Sequence, residues 1–505
     1  MAVTLGGHPN LFRAGCAAII VGALLHVPML EMGLAMGNRL VGMPMDGWMT
    51  AGMALIALGL PLSFIGAIPR RITHESDYAG TVFEARDDVP LGRRHALVLA
   101  ILVLGLVIDT MKPATLGFVL PGLRDEYGID AKTAALLPFV ALTGTTVGSF
   151  VWGWLADICG RRTSILLSTI VFVATSLCGA MPEFEWNLLM CFLMGASAGG
   201  MLPVVYALLA EIMPPRHRSW LLVLIGGVGS VGGYLAASGA AWLLEPVVGW
   251  RSLWLIGLPT GLLLLFMARW IPESPRFLLA QGRKADLERL SRDFGFVARK
   301  VDLDAAPPLR TQQRLGAALV LTALGWSVVT FGLLLWLPSD LRARGFDPQV
   351  ASSILASSAL IALPTVAVAA LLYSRWSSKG TLVLSIGLML MGLLGALLPA
   401  ATLASPLVVT GVITLLVVGS NGLIALLLPY TAENYALAVR GRATGIIAGS
   451  SKFGGMAVQG LALVGMAPTL ASAAPLLVAP VALSGVLMSA WGRETRGRSL
   501  RDLEG

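Results

Sequence analysis

Residues 153–162 read Gly-Trp-Leu-Ala-Asp-Ile-Cys-Gly-Arg-Arg, and this charged corner separates two long apolar runs at about 134–155 and 163–181. Each run has about the 20 residues that a helix needs to cross roughly 30 Å of hydrocarbon. One acid and two arginines between two such runs are typical of a short loop that joins two transmembrane helices. The stretch therefore indicates a polytopic, all-α membrane protein.

The composition of the whole chain agrees with a membrane protein. Hydrophobic residues make up 56% of the 505 positions and charged residues only 13%, whereas a soluble chain is about 45–50% apolar and about 25% charged. The net charge of +8 is no sign of nucleic-acid binding, because Lys and Arg in a membrane protein are distributed by side of the membrane.

Apolar runs of sufficient length predict fourteen transmembrane helices. They lie at about 11–33, 47–69, 96–121, 134–155, 163–181, 187–210, 220–244, 249–271, 314–338, 350–374, 380–400, 405–431, 442–465 and 471–491. Polar segments divide them into a pair and two groups of six. The predicted organisation is two extra helices in 1–70, a linker in 71–95, a six-helix bundle in 96–271, a connecting segment in 272–313, a second six-helix bundle in 314–491 and a tail in 492–505.

The positions of Lys and Arg predict the sidedness. Of the 36 basic residues, 28 lie in one set of alternate loops and the termini, and two, Lys112 and Lys452, lie inside spans. The opposite set of loops holds only six: Arg39, Arg124, Lys132, Arg251, Arg342 and Arg344. By the positive-inside rule the rich set, with both termini, faces the cytoplasm. We expect a multi-pass protein of the cytoplasmic membrane.

The two groups of six helices repeat each other. Leu120-Pro-Gly-Leu-Arg ends the third span, and Leu337-Pro-Ser-Asp-Leu-Arg ends the ninth. Glu211 and Arg218 recur 222 residues later as Glu433 and Arg440. A duplicated bundle is the architecture of transporters in which two halves rock about a central site.

Several loops resemble signature motifs of the major facilitator superfamily. They are the corner at 153–162, Glu211-Ile-Met-Pro-Pro-Arg-His-Arg218, Pro272-Glu-Ser-Pro-Arg-Phe-Leu278 and Arg493-Glu-Thr-Arg-Gly-Arg-Ser-Leu500, the last three being similar to the sugar-porter branch. The resemblance covers the chain from about residue 96 onward and implies a twelve-helix fold of two pseudo-symmetric bundles. The first two spans are additional to that fold.

The charged loop residues predict a cytoplasmic gate, in which carboxylates pair with guanidinium groups and with helix ends. The candidates are Asp157, Arg161, Arg162, Glu211, Arg216, Arg218, Glu273, Arg276, Glu433, Arg440, Arg442 and Glu494. Plain anchoring of helix ends is the alternative. The C-terminal counterpart of the corner, near Tyr373-Ser-Arg-Trp-Ser-Ser-Lys379, lacks the acid, so we expect the gate to be lopsided.

Asp109 and Lys112 lie in the middle of the third span, where an insertion cost of at least about 2.5–3.5 kcal/mol per charge requires a reason. A spacing of three places them on one helix face, where they can form an ion pair. In the resembling family this helix lines the central cavity, which makes Asp109 a candidate for proton coupling. A permanent structural pair is the alternative.

Other polar residues within spans are candidates for lining the cavity. They are Tyr206, Trp326, Thr330, Asn421, Tyr430, Lys452 and Gln459. Each can equally be a packing residue, and Lys452 can extend to the cytoplasmic edge. A second lysine in the cavity would favour an anionic solute.

The sequence predicts a secondary transporter of a small organic solute, with symport of an organic anion or metabolite favoured over sugar uptake and over efflux or exchange. The expected partners are the solute, a proton and the lipid bilayer. Only five His occur, without metal-ligand spacing, and no phosphate-binding Gly-x-x-x-x-Gly-Lys-Ser/Thr motif is present. We expect neither an enzyme nor a bound metal or cofactor; a solute sensor that does not transport is a further alternative.

Overall fold

The computed structural model describes residues 8–35, 39–43, 45–68, 81–85, 89–300, 310–435, 437–466 and 468–496. The helices before the connecting segment are α1 Pro9–Leu24, α2 Val27–Ala35, α3 Gly47–Ala67, α4 Arg93–Tyr127, α5 Ala131–Ala134, α6 Leu136–Cys159, α7 Arg161–Ala174, α8 Phe184–Ile212, α9 Pro215–Val248, α10 Ser252–Leu255 and α11 Gly257–Met267. The later helices are α12 Pro275–Ala280, α13 Lys284–Phe294, α14 Arg310–Ser327, α15 Leu335–Ala343, α16 Pro348–Arg375, α17 Ser378–Gly395, α18 Ala400–Leu403, α19 Pro406–Asn434, α20 Leu437–Leu463 and α21 Leu470–Trp491.

Twelve helical segments of the described chain are long and apolar enough to cross a membrane. Two further helices, α7 and α20, stand at the positions of the remaining two predicted spans. The first has only 14 residues before it continues as a 3₁₀ helix over Thr175–Ala180, and the second carries Lys452 and several glycines in its 27 residues. The fold is therefore the predicted twelve-helix arrangement with two additional N-terminal helices.

Polar side chains and glycines determine where several helices begin and end. Asp46 accepts a hydrogen bond from the Met49 N–H at 2.7 Å and begins α3, and Asp130 accepts one from the Thr133 N–H at 2.8 Å and begins α5. Such caps satisfy amides that have no partner within the helix. Gly128 ends α4 in a left-handed conformation, with φ of 62°.

The helices form two bundles whose contacts follow the duplication. In the first, called the N-bundle (α4–α11), α6 packs on α8 and α4 on α9. In the second, the C-bundle (α14–α21), the corresponding contacts are those of α16 with α19 and of α14 with α20. The bundles meet where α9 contacts α16 and α19, where α6 contacts α20, and where α4 contacts α15. These contacts surround the middle of the molecule, where the unusual charges lie.

A π-helical segment, Val328–Leu334, interrupts the helix formed by α14 and α15. Gln459 on α20 donates its amide N–H to the Phe331 carbonyl and accepts the Trp336 indole N–H at 3.1 Å. Wide helical turns of this kind are rare and occur frequently at functional sites. A single buried amide thus bonds both the wide turn and the helix that follows it.

A two-stranded antiparallel sheet joins the linker to the connecting segment. Strand β1, Thr81–Ala85, pairs with β2, Phe296–Lys300, in a register that places Phe83 opposite Ala298. Next to it the His95 ring packs edge-on against Phe294, with centroids 4.9 Å apart. The linker and the connecting segment are thereby attached to the N-bundle.

Candidate functional site

Asp109 is buried in the middle of α4 and is 6% exposed. Within the described part of the chain its carboxylate has no hydrogen bond and no cation within 4 Å. The strongest charge acting on it is Lys452 on α20, ahead of Lys112 on its own helix. The dominant electrostatic neighbour of Asp109 therefore belongs to the opposite bundle.

Lys112 does not form the expected ion pair with Asp109. Its ammonium group turns into the N-bundle and donates to the Phe172 carbonyl at 2.7 Å and to the Thr175 hydroxyl at 2.9 Å. The same group lies 4.2 Å from the centre of the Phe172 ring. The prediction of a direct pair was wrong because the long lysine side chain reaches acceptors on the neighbouring helix, which sequence spacing within α4 does not reveal.

Asn421 connects the two bundles near these charges. Its amide oxygen accepts the Ser230 hydroxyl of α9 at 2.5 Å, and its amide nitrogen donates to the Val417 carbonyl at 2.9 Å. Trp326 donates to the Ser420 carbonyl at 2.9 Å and packs edge-on against Phe331 at 5.7 Å. This part of the interface thus contains both polar and aromatic groups.

Four buried hydroxyl groups have no hydrogen-bond partner among the described residues: those of Tyr206, Tyr234, Thr330 and Ser339. A buried polar atom without a partner costs free energy, so such atoms call for an explanation. Thr330 lies within the π-helical segment. A polar solute or water bound between the bundles would supply the missing partners.

Two predicted cavity residues have other roles. The Tyr430 hydroxyl is fully buried, donates to the Arg493 carbonyl at 2.6 Å and accepts the Arg493 N–H at 2.8 Å. Gln459, also fully buried, bonds the π-helical segment. Both were plausible by residue type, but their polar atoms are already used by backbone groups and by Trp336. The cavity prediction is corrected for these two.

A cavity of about 10 Å³ lies beside Pro113, Leu142, Thr145, Phe331 and Leu335, which is roughly the room that one water needs.

On the face opposite Asp157, the Arg342 guanidinium of α15 pairs with the Glu245 carboxylate of α9 at 2.6 Å. This ion pair joins the two bundles across that face.

The corner of the N-bundle brings five predicted gate residues together. Arg161 pairs with Asp157 at 2.5 Å and lies 3.6 Å from Glu211. Glu273 accepts the backbone N–H of Arg162 at 3.1 Å. Burial raises the pKa of Glu273 above its ordinary value, although these hydrogen bonds and the nearby arginines oppose the rise.

The corner of the C-bundle brings the other two predicted acids to hydroxyl groups. Glu433 accepts the hydroxyls of Tyr373 at 2.6 Å and of Thr495 at 2.7 Å. Glu494 accepts both the N–H and the hydroxyl of Ser378, at 2.9 and 2.6 Å.

The remaining predicted gate residues are Arg216, Arg218, Arg276, Arg440 and Arg442. Arg218 donates to the Met213 carbonyl at 3.4 Å, Arg216 is exposed, and Arg276 lies in α12. The side chains of Arg440 and Arg442 lie outside the described residues.

A family model matches residues 97–459, which is more than half of the chain, and its description is Major Facilitator Superfamily. The chain belongs to the Major Facilitator Superfamily. It is therefore a multi-pass membrane transporter of a small solute and not an enzyme.

Two named relatives illustrate this superfamily membership. An organic cation/carnitine transporter of Arabidopsis thaliana is 35% identical over 220 residues, which are 42% of this chain and 43% of that protein. A putative niacin/nicotinamide transporter of Bacillus subtilis is 26% identical over 372 residues, or 73% of this chain and 87% of that protein. The chain thus spans less than half the length of the first relative.

The fold also matches a solved superfamily structure. The proton:xylose symporter structure superimposes with a TM-score of 0.64 at 16% identity, covering 81% of this chain and 98% of that one. This likeness concerns the superfamily fold alone.

The ion pair that joins the bundles of this superfamily member was missed from sequence. A signal was available, because only six basic residues lie in the loops that the positive-inside rule leaves poor in Lys and Arg. Three of the six form ion pairs: Arg251 with Glu126, Arg342 with Glu245, and Arg344 with Asp340. Exceptions to the charge bias were therefore a useful guide to structural pairs.

Proposed function

We propose that the chain imports a small organic anion together with a proton, that Asp109 accepts the proton, and that Lys452 binds the carboxylate of the anion. The observation that carries this proposal is the electrostatic coupling of Asp109 to Lys452 across the bundle interface. The two groups belong to α4 and α20, so a change in the charge of either one alters the attraction between the bundles.

The proposal balances charge at every step. In the empty transporter the Asp109 carboxylate offsets the Lys452 ammonium. When Asp109 takes a proton, Lys452 loses its counter-ion and can accept an anion in its place, so that Asp109, Lys452 and the anion together again have no net charge; the charge of Lys112 is the same in both states. A charge at mid-membrane is expensive, and it follows that the neutral combinations are the ones that cross. One proton then accompanies one monovalent anion.

Other polar and aromatic groups of the two bundles suit a small carboxylate with polar substituents. The partnerless hydroxyls of Tyr206, Tyr234 and Thr330 can bond such substituents, and the ring pair of Trp326 and Phe331 can pack against an apolar or aromatic body. Niacin, which appears in the name of one relative, is an aromatic carboxylate. Aromatic monocarboxylates are therefore the first class to test.

We further propose that the Asp157 face is cytoplasmic and that the protein lies in the cytoplasmic membrane. The excess of Lys and Arg in the loops of that face supports this orientation. With the Glu245 and Arg342 pair closing the opposite face, the site would next open toward the cytoplasm. The charged residues at the N-bundle corner would then act as the cytoplasmic gate.

Uptake and exchange in proteoliposomes test the proposal. Niacin, benzoate, carnitine and xylose are offered as labelled solutes with and without an inwardly directed proton gradient. We expect gradient-driven accumulation of an aromatic carboxylate. Accumulation of xylose alone would indicate a sugar porter, and binding without counterflow would indicate a sensor, so that either result contradicts the proposal.

Matched variants test the two roles. Asp109→Asn should abolish gradient-driven accumulation and preserve exchange, whereas Asp125→Asn, an exposed acid near the end of the same helix, should preserve both. Lys452→Gln should weaken anion binding more than Lys112→Gln does. The reason is that the ammonium group of Lys112 is already bonded inside the N-bundle. Unchanged uphill uptake by Asp109→Asn would exclude its role in coupling.

A further inference from the structure

Glu126, near the end of α4, has a carboxylate that is almost completely surrounded. Its side chain is 7% exposed, and it pairs with Arg251, whose side chain is 5% exposed, at 2.7 Å. Its second oxygen accepts the Trp250 indole N–H at 2.9 Å. These partners belong to the N-bundle, so the carboxylate is part of a buried polar cluster on the face opposite Asp157.

Two more donors to Glu126 come from a distant part of the chain. The backbone N–H groups of Leu40 and Val41 donate to the same carboxylate oxygen at 2.8 and 3.4 Å. Both residues belong to the loop between α2 and α3. Hydrogen bonds to an ionised acceptor are roughly twice as strong as neutral ones. These two bonds to the loop are therefore made by its backbone N–H groups and not by its side chains.

The Leu40 side chain adds an apolar anchor to these bonds. It is 1% exposed and packs with Met29 and Met49 in a small cluster. Val41, the next residue, is 42% exposed. Adjacent residues of the loop therefore differ sharply in accessibility, which makes them a matched pair of reporters.

The rest of the accessory hairpin, defined as α1, α2, α3 and the described residues of the α2–α3 loop, also lies on the N-bundle. Helices α1 and α3 touch at glycines, and a Cβ at Gly59 would lie 2.8 Å from the Gly15 carbonyl. Both helices contact α7, and the Phe64 ring of α3 lies 5.9 Å from Trp152 of α6. The contacts with α7 and with Trp152 attach the hairpin to the N-bundle.

We infer that Glu126 is the docking site of the accessory hairpin: its carboxylate holds the α2–α3 loop, so that the hairpin is a fixed part of the N-bundle. In this arrangement the hairpin moves with the N-bundle during transport. Its partner is a segment of the same chain, recognised by two backbone amides and one apolar side chain.

Cysteine labelling of the full-length purified protein tests the docking site. Leu40→Cys should resist a polar maleimide in the otherwise unchanged chain and react at least tenfold faster when Glu126→Ala is added. Val41→Cys should react equally fast in both backgrounds. It is the control for labelling at an exposed position of the same loop. Labelling of the parent chain, with its native cysteines, is subtracted.

Two further variants separate docking from general loosening of the bundle. Asp125→Ala, at the exposed neighbouring acid, should leave Leu40→Cys protected. Arg251→Gln should also leave it protected, because the Glu126 carboxylate remains to accept the loop amides. The inference is overturned if Leu40→Cys reacts freely without any further change, stays protected in Glu126→Ala, or is exposed equally by Arg251→Gln.

Discussion

The α6–α7 corner of the N-bundle is held by charges, whereas the corresponding α16–α17 corner of the C-bundle is held by hydroxyl groups. In the first, Arg161 pairs with Asp157 and lies near Glu211. In the second, Ser378 stands where Arg161 would be, and its hydroxyl donates to Glu494. The C-bundle has thus kept counterparts of Glu211 and Glu273, whereas serines replace both Asp157 and Arg161.

One feature is common to both corners. Glu273 accepts the Arg162 N–H at the start of α7, and Glu494 accepts the Ser378 N–H at the start of α17. A carboxylate at a helix N-terminus is stabilised by the helix dipole and by free amides. The bond between a carboxylate and the first turn of a helix is therefore common to both corners. The additional ion pairs belong to the N-bundle corner.

The largest expected effect comes from removing the cation of the charged corner. Arg161→Gln leaves Asp157 and Glu211 without their shared partner and should slow transport about tenfold or more, which corresponds to roughly 1.4 kcal/mol. Ser378→Ala in the other corner should slow it less than about threefold, because Glu494 keeps the backbone N–H. Initial uptake rates per amount of reconstituted protein measure both.

Equal losses in these two variants would contradict the comparison. A thermal unfolding curve for each variant serves as the control, since a misfolded protein would also lose transport.

The backbone of the two corners differs as well. Gly160 has φ of 92°, and a Cβ there would lie 2.6 Å from the Glu273 carboxylate, whereas Ser377 is extended and caps α17 through the Gly380 N–H at 2.7 Å. Gly160→Ala should cost about 1–3 kcal/mol from backbone strain. Ser377→Ala should cost about 1 kcal/mol from loss of the cap. Unfolding temperatures in detergent should be lower for Gly160→Ala than for Ser377→Ala. A lower unfolding temperature for Ser377→Ala would contradict the comparison of the two corners.

The two glutamates should respond oppositely to acid. Burial raises the pKa of Glu273, so its neutral form favours folding: that contribution is complete below the ordinary carboxyl pKa and is lost as pH rises through the raised value. Burial by itself raises the pKa of Glu494, but hydrogen bonds from Ser377 and Ser378 outweigh it and lower this pKa to about 2. Its contribution is present above the ordinary value and is lost as pH falls toward 2.

Glutamine variants measure this difference. Glu273→Gln should unfold no lower than the parent at neutral pH, because both of its backbone bonds go to the one oxygen that glutamine retains. Glu494→Gln should unfold at a lower temperature at neutral pH, by less than about 1 kcal/mol for a largely exposed group, and should approach the parent below pH 4. Parallel pH profiles for the two variants would refute the assignment.

The smallest effect is expected from restoring an acid to the C-bundle corner. Ser374 lies four residues before Ser378, as Asp157 lies four residues before Arg161. Ser374→Asp alone should change stability by less than about 0.5 kcal/mol, because no cation stands at position 378. With Ser378→Arg added, a positive coupling in a double-mutant cycle is expected. A large loss from the single change would show that the hydroxyl at 374 matters for another reason.

The spans and their order could be predicted from sequence because each apolar run must match the thickness of the bilayer. The cavity residues could be predicted only in part, because lipid and protein core are both apolar and the hydrophobic pattern does not reveal which helix face points inward. Asp109 was singled out by the cost of a charge at mid-membrane, and its role in proton coupling stays a prediction. Tyr430 and Gln459 were misassigned, since their partners lie 63 and 128 residues away.

The ion pair between Glu245 and Arg342, which joins the two bundles, could not be predicted from sequence either. The residues are 97 positions apart, and only the packing of the two bundles brings α9 and α15 together. The π-helical segment Val328–Leu334 was not predicted either, and the side chain that bonds its Phe331 carbonyl, Gln459, comes from another helix.

The strand pair that joins Thr81–Ala85 to Phe296–Lys300 has a consequence for biosynthesis. The ribosome makes β1 before any helix of the N-bundle, and its partner follows only after the last of them, about two hundred residues later. Closing a loop of that size costs chain entropy that the intervening helices must first reduce by packing. Strand pairing is therefore a natural checkpoint: it completes only in chains whose first bundle has been inserted and assembled.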